Sequence, residues 1–342
     1  MSRLTLPSLL LSLTLTGLPM TGLSAQTFEE SAKAYQAGDY AGALEGLRET
    51  AQSGNADAQL LLGTMLFNGQ GMEAHYVEAL YWFKTSADAG NTAAAFALAS
   101  AHRTGAGTSR NDAEARTYFE RAAEGGVIAA KFELANMLAS GEGGSADSER
   151  AVQLFQEAAD AGYPQALYAM GAIYAAGQMK PQDMNRAAAY FRKAAEKGQA
   201  DAAYNLGLMM VEGTGVAKNP AGAVEFFQFA AAEGLAEAQT ALAFLYANGT
   251  GVEKDEEKAA TWFNEAALRG DTLAQSRLAR MYYLGKGIEK DLIAAYTWLS
   301  IARAGGQDDK ELATLLEPEM TPELLAKAEE ALKEWEAATS AR

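Results

Sequence analysis

The apolar positions of this chain fall at helical spacing, and the whole pattern returns every 36 residues. Leu62, Leu98, Leu134, Met170, Leu206, Leu242 and Leu278 form one row, each four residues after an alanine of the series Ala58 to Ala274. In most copies a further apolar residue follows four positions on (Leu66, Leu138, Tyr174, Met210, Tyr246, Tyr282). Such spacing lays one apolar face along an α-helix. Small residues beside the Leu row (Gly63, Ala99, Ala135, Gly171, Gly207, Ala243, Ala279) let a second helix approach closely.

That second helix is also written in the pattern. Ala79, Ala115, Ala151, Ala187, Ala223, Ala259 and Ala295 mark its close-contact position. Two bulky rows follow: Trp82, Tyr118, Leu154, Tyr190, Phe226, Trp262, Trp298, and Phe83, Phe119, Phe155, Phe191, Phe227, Phe263, Leu299. Glycines punctuate the helices. Gly54, Gly90, Gly126, Gly162, Gly198, Gly234, Gly270 and Gly306 close the units, and a Gly-x-Gly turn such as Gly213-Thr214-Gly215 separates the two helices of most units. The fourth unit has Met179 at the second glycine position, with Pro181 placed to preset the first turn of the next helix. The prediction is an all-α fold, a right-handed α-solenoid of antiparallel helix pairs, in which each unit buries its apolar face against its neighbours. A chain of this kind is expected to work as an extended binding surface.

The pattern Ala-x3-Leu-Gly-x2-Tyr-x2-Gly-x-Gly-Val, then Ala-x2-Trp-Phe and Ala-Ala-x2-Gly, resembles the Sel1-like repeat, a relative of the tetratricopeptide repeat. Its fullest copies are Ala202–Gly234 and Ala238–Gly270. Seven repeats are assigned to 55–306. A tetratricopeptide-like hairpin around Ala34–Ala43 precedes them at 26–54, and capping helices follow at 307–342, where Thr321 and Pro322 start the last helix. A tail helix that docks on a partner is the alternative for that final segment.

Residues 1–25 read as a secretory signal peptide. Arg3 supplies the positive start, Leu4 to Leu18 the apolar run, and Leu23-Ser24-Ala25 the cleavage site, so the chain is expected in the periplasm or outside the cell after cleavage near Ala25. No other long apolar run predicts a membrane span. The chain has no cysteine, which excludes disulfides and suits a bacterial envelope compartment. Its 44 acidic against 28 basic residues leave a net charge of −16, which disfavours nucleic acid and anionic membranes as partners.

Candidate chemistry is sparse. His75 and His102 do not recur in the repeat and bring no second ligand set, so neither a metal nor a cofactor is expected. Asp255-Glu256-Glu257 opens a second helix, where negative charge favours the helix dipole. Some relatives of the Sel1-like repeat have been linked to β-lactam binding or hydrolysis, so a hydrolase of β-lactam or cell-wall amide bonds stands as the alternative function. Against it, Ser-x-x-Lys is absent and Lys84-Thr85-Ser86 is a lone tripeptide inside a helix. The expectation is a non-catalytic, monomeric scaffold that binds a protein or peptide.

The resemblance places the first helix of each pair on the concave face. The residues expected to line that groove are Leu60, Phe67, Phe96, Arg103, Phe132, Asn136, Tyr168, Tyr204, Phe244, Arg280 and Tyr283. Phe96, Phe132, Tyr168 and Tyr204 form an aromatic row that serves either as core between successive first helices or as exposed platforms for a partner. On the second reading, alanine at Phe132 and Tyr168 weakens partner capture and leaves melting nearly unchanged. Asp57, Asp201, Glu212 and Glu237 on the rim would favour a basic segment. By resemblance, such a scaffold serves envelope signalling or host contact.

Overall fold

The computed structural model describes residues 23–340, so the expected signal peptide at 1–25 lies outside the described residues except for its last three positions, which begin the first helix. Among the described residues there are eighteen α-helices and one 3-10 turn, and no strand. In chain order they are α1 (Leu23–Gln36), α2 (Tyr40–Gln52), α3 (Ala56–Asn68), α4 (Tyr76–Asp88), α5 (Thr92–Thr104), α6 (Asp112–Glu124), α7 (Ile128–Ser140), α8 (Ser148–Asp160) and α9 (Pro164–Ala176). There follow α10 (Met184–Glu196), α11 (Ala200–Glu212), α12 (Pro220–Ala232), α13 (Ala236–Asn248), α14 (Glu256–Leu268), α15 (Thr272–Leu284), α16 (Leu292–Ala304), α17 (Lys310–Leu316) and α18 (Pro322–Ser340). The chain folds as two compact units that divide at Ala166 and Leu167, inside α9.

In the first unit α1 packs on α2, α3 on α4, α5 on α6 and α7 on α8, and α2, α4 and α6 also pack on the first helix of the next pair. In the second unit α11 pairs with α12, α13 with α14 and α15 with α16, joined through α10–α11, α12–α13 and α14–α15. In six of the seven repeats the interior of the pair is one phenylalanine of the second helix. Phe83, Phe119, Phe155, Phe191, Phe227 and Phe263 are all buried, as is Leu299 in the last repeat. Burying such a ring contributes about 1.5–3 kcal/mol, and each is tied to the small residue opposite. A Cβ on Gly63, Gly171 or Gly207 would lie 2.7 Å from the ring of Phe83, Phe191 or Phe227.

The turns explain both glycines of Gly-x-Gly. The first ends the first helix in the left-handed conformation, as Gly213 does at φ 83° and Gly285 at φ 65°. The second also has positive φ, and it lies against the opening of the preceding second helix. A Cβ on Gly143 or Gly215 would clash with the carbonyl oxygen of Asp112 or Met184. No residue other than glycine has positive φ among the described residues, so Met179 holds a different backbone conformation. Pro181 lies two residues before the Asp183 cap of α10, outside the helix, so it does not preset the first turn; Pro220 does so in α12.

A recurring cap completes each turn. Asn111, Asp147, Asp183, Asn219, Asp255 and Asp291 accept a backbone N–H three residues on. Their own N–H groups donate back to the first helix, for example Asn219 to Met210 at 2.7 Å. His75 stands at the same place in α4 without a side-chain cap bond.

The C-terminal segment closes the second unit. Leu312, Ala313, Leu316, Met320 and Ala328 form one buried cluster with Ala279, Ala295 and Leu299. Thr321 accepts from the Leu324 N–H at the start of α18. Arg280 on α15 donates to both oxygens of Asp309, at 2.7 and 2.8 Å, and to Glu311 at 3.0 Å. The Asp309 carboxyl is pushed up by burial, but hydrogen bonds from Arg280 and the Leu312 N–H outweigh that and hold it below its ordinary range. A depressed carboxylate contributes stability that is complete above its unfolded value and is lost as pH falls through the folded one. The protection of the α17 amides, relative to their intrinsic exchange rates, is therefore expected to fall as the pH drops below about 4. Arg280→Met should cost about 1–2 kcal/mol at neutral pH, between the exposed and buried limits for an ion pair, and should flatten that acid dependence.

Candidate functional site

The expected groove residues divide into three groups. Leu60, Phe67 and Phe96 are buried, with 5%, 2% and 4% of their surface exposed, so they sit in the interior of the first unit. The cause is local: Phe67 packs against Phe83 and Tyr76, and Phe96 makes an edge contact with Phe119 at 5.5 Å.

Phe132, Tyr168, Tyr204 and Phe244 are half-buried. Each ring rests on the central phenylalanine of its own repeat, Phe155, Phe191, Phe227 or Phe263, with centroids 5.1–5.9 Å apart. Phe132 also touches Tyr163. The rings are thus seated one per repeat on the core beneath, each still partly exposed. Burial pushes the Tyr204 phenol up, and Glu237 and Asp271 add to the shift. Because these rings share the interior, alanine at Phe132 and Tyr168 is expected to lower melting as well as any binding, contrary to the expectation for freely exposed platforms.

The polar members are held by neighbours. Arg103 pairs with Glu133 of the next first helix at 2.8 Å and lies over the Phe119 ring. Arg280 is engaged by the cap as described, and the Tyr283 hydroxyl donates to Glu319 at 2.8 Å. That hydrogen bond is the first cause raising the Tyr283 phenol. Asn136 is half-buried on α7.

Three features escaped the periodic reading. Gln59, Gln239 and Gln275 are buried and donate to a carbonyl at the end of the preceding helix, those of Ala51, Ala231 and Ala267. Their recurrence at the residue after the repeat alanine was the available signal. Tyr76, Val77 and Tyr81 leave an apolar patch exposed at the start of α4, with Val77 78% exposed. In the second unit, a cleft of about 360 Å³ opens between the C-terminal halves of α13 and α15. Its floor is Phe244, Phe263 and Met281, and Lys254, Arg277, Arg280 and Lys286 stand around it.

Among the described residues no group of three or more His, Asp or Glu is placed to hold a metal ion. Ser86 is buried and its hydroxyl donates to the Ala56 carbonyl, while Lys84 pairs with Asp88 at 2.6 Å. His102 stacks on Tyr118 at 6.0 Å, and His75 is exposed. No helix among the described residues is long and apolar enough to cross a membrane.

The Sel1 repeat family model matches seven consecutive segments: 56–91, 92–127, 128–163, 164–199, 200–235, 236–271 and 272–307. The chain belongs to the Sel1 repeat family. Sel1 repeat proteins are generally protein-interaction scaffolds, and the family is typically non-catalytic. A Sel1 repeat protein from Oxalobacter formigenes has a similar solved structure, 29% identical, with TM-score 0.68, covering 87% of this chain and 88% of its own. A second similar structure is c5321, a protective antigen present in uropathogenic Escherichia coli strains and displaying an SLR fold. It is 28% identical, with TM-score 0.59, and the match covers 92% of this chain and 76% of c5321. Among curated proteins none matches the chain.

Proposed function

We propose that this Sel1 repeat chain is a non-catalytic scaffold of the bacterial envelope that holds a segment of another protein on the first-helix face of its second unit. The observation that carries this is the seating of Tyr168, Tyr204 and Phe244: each rests on a buried phenylalanine and is itself only half-buried. A rigid aromatic surface of this kind loses little conformational entropy when a partner covers it. Export rests on the signal-like segment ending at Ala25, and the similar Escherichia coli chain is a protective antigen, which agrees with an exported protein. Envelope signalling or host contact is the process such a scaffold would serve, and the scaffold itself acts as a monomer.

Cell fractionation with N-terminal sequencing tests the location: a periplasmic or secreted product starting at Gln26 is expected, and a cytoplasmic product starting at Met1 sinks it. Leu208 stands 36 residues before Phe244 on the same face and is half-buried. Leu208→Glu is expected to abolish capture of the envelope partner that wild type retains, while Gln228→Glu on α12 leaves capture unchanged. Equal capture by all three proteins would remove the face from the account. Nitrocefin turnover by the purified protein would instead support the hydrolase.

A further inference from the structure

Resting on the scaffold reading above, we propose that the cleft between α13 and α15 takes an acidic protein segment, one that places an apolar side chain directly beside an aspartate or glutamate. The floor supplies the apolar half of the site. Phe244 meets Phe263 edge-on at 5.1 Å, Met281 adjoins them, and the volume of about 360 Å³ admits one large side chain.

The charge around the floor supplies the other half. Four cations and one carboxylate line this cleft in a chain whose net charge is −16. Two of the cations are already neutralised: Lys254 pairs with Glu256 at 2.7 Å, and Arg280 with Asp309 and Glu311. Arg277 and Lys286 make no ion pair among the described residues. The carboxylates that feel their charge, Asp309 and Glu256, are the ones taken by Arg280 and Lys254. The Arg277 guanidinium lies over the Phe244 ring, 5.6 Å from its centroid. A guanidinium held by its face keeps N–H groups for a bidentate carboxylate. A ligand with one apolar and one carboxylate group meets both halves at once.

The two free cations are also departures from the repeat. Thirty-six residues earlier the chain has Ala241 in place of Arg277 and Thr250 in place of Lys286, so stacking the repeats does not require them. The net negative charge elsewhere does not oppose the assignment, because charges beyond about 8 Å are largely screened at physiological salt. The rim carboxylates Asp201 and Glu237, which would attract a basic segment, do not line this cleft.

The test is fluorescence polarisation of the purified protein with three labelled peptide pools. Each has a central Leu, Phe, Tyr or Trp, flanked by Asp and Glu, by Asn and Gln, or by Lys. Unlabelled phenylpropionate serves as a small-carboxylate competitor. The acidic pool is expected to bind best, to weaken as salt rises from about 0.05 to 0.5 M, and to resist phenylpropionate. Arg277→Glu with Lys286→Glu should weaken it at least about tenfold, and Leu284→Ser, at a leucine that also lines the cleft, should weaken it without moving the melting temperature, since all three side chains are exposed. Preference for the Lys pool, equal binding of the Asn and Gln pool, or indifference to the double charge reversal overturns the acidic partner and leaves the scaffold standing. Displacement by phenylpropionate overturns a protein segment as the occupant. Failure of every pool to bind overturns it as well, and the scaffold falls with it only if Leu208→Glu also leaves partner capture intact.

Discussion

Phe227→Ala is expected to destabilise the second unit by about 3–5 kcal/mol, the range for deleting a fully buried aromatic ring. Phe227 has 1% of its surface exposed and fills the space between α11 and α12, under Tyr204 and against the bare backbone of Gly207. Neither neighbour can collapse into the hole: Gly207 has no side chain, and Tyr204 is held above on its own helix. Stacked repeats share their interfaces, so loss at this one pair propagates to α10 and α13 through the contacts that join them. The denaturant midpoint and amide exchange across α10 to α13 would show it, with the exposed neighbour Gln228→Ala staying within about 0.5 kcal/mol of wild type. A small effect at Phe227 would mean that this row does not carry the core.

Gly287→Ala is expected to cost nearly as much, for a different reason. Gly287 holds φ 66°, and its added Cβ would stand close against the carbonyl group of Glu256, which opens α14. The left-handed backbone costs an alanine about 1–2 kcal/mol, and forcing the backbones apart costs about 1–3 kcal/mol more. The sum is about 2–5 kcal/mol. Gly270→Ala separates the two terms, because Gly270 has φ 93° but nothing within 4 Å of the added Cβ. It should show only the first, about 1–2 kcal/mol. Equal losses at Gly270 and Gly287, measured by chemical denaturation, would deny the close approach between successive repeats.

These two residues show why the fold was so legible in the sequence. A contact that recurs in every repeat leaves the same residue type at the same period, so the phenylalanine row and the turn glycines announce themselves. The close approach behind Gly287 was not visible, because a period reveals that a glycine is needed and not what stands opposite it. The Asn and Asp caps from Asn111 to Asp291 have the same period and were readable in principle.

The candidate face was legible only in outline. Phe96 and Phe132 occupy one repeat position, yet the first is buried and the second half-open, a difference set by the neighbours each ring meets. Arg280 looked free because its partner Asp309 lies beyond the last repeat, at the start of the cap. The cations of the α13–α15 cleft come from two turns and one helix, and Arg277, Arg280 and Lys286 have no period, so only the folded chain brings them together.

Site-directed photocrosslinking in the cells that make this protein tests the central claim, that it acts through the first-helix face of its second unit. The crosslinking residue would replace Leu208 on α11 or Arg277 on α15, and Gln228 on α12 or Thr261 on α14 for comparison. The account predicts adducts to one and the same envelope protein from the first two positions and none from the second pair. Adducts confined to Gln228 and Thr261, with Leu208 and Arg277 silent, would contradict it.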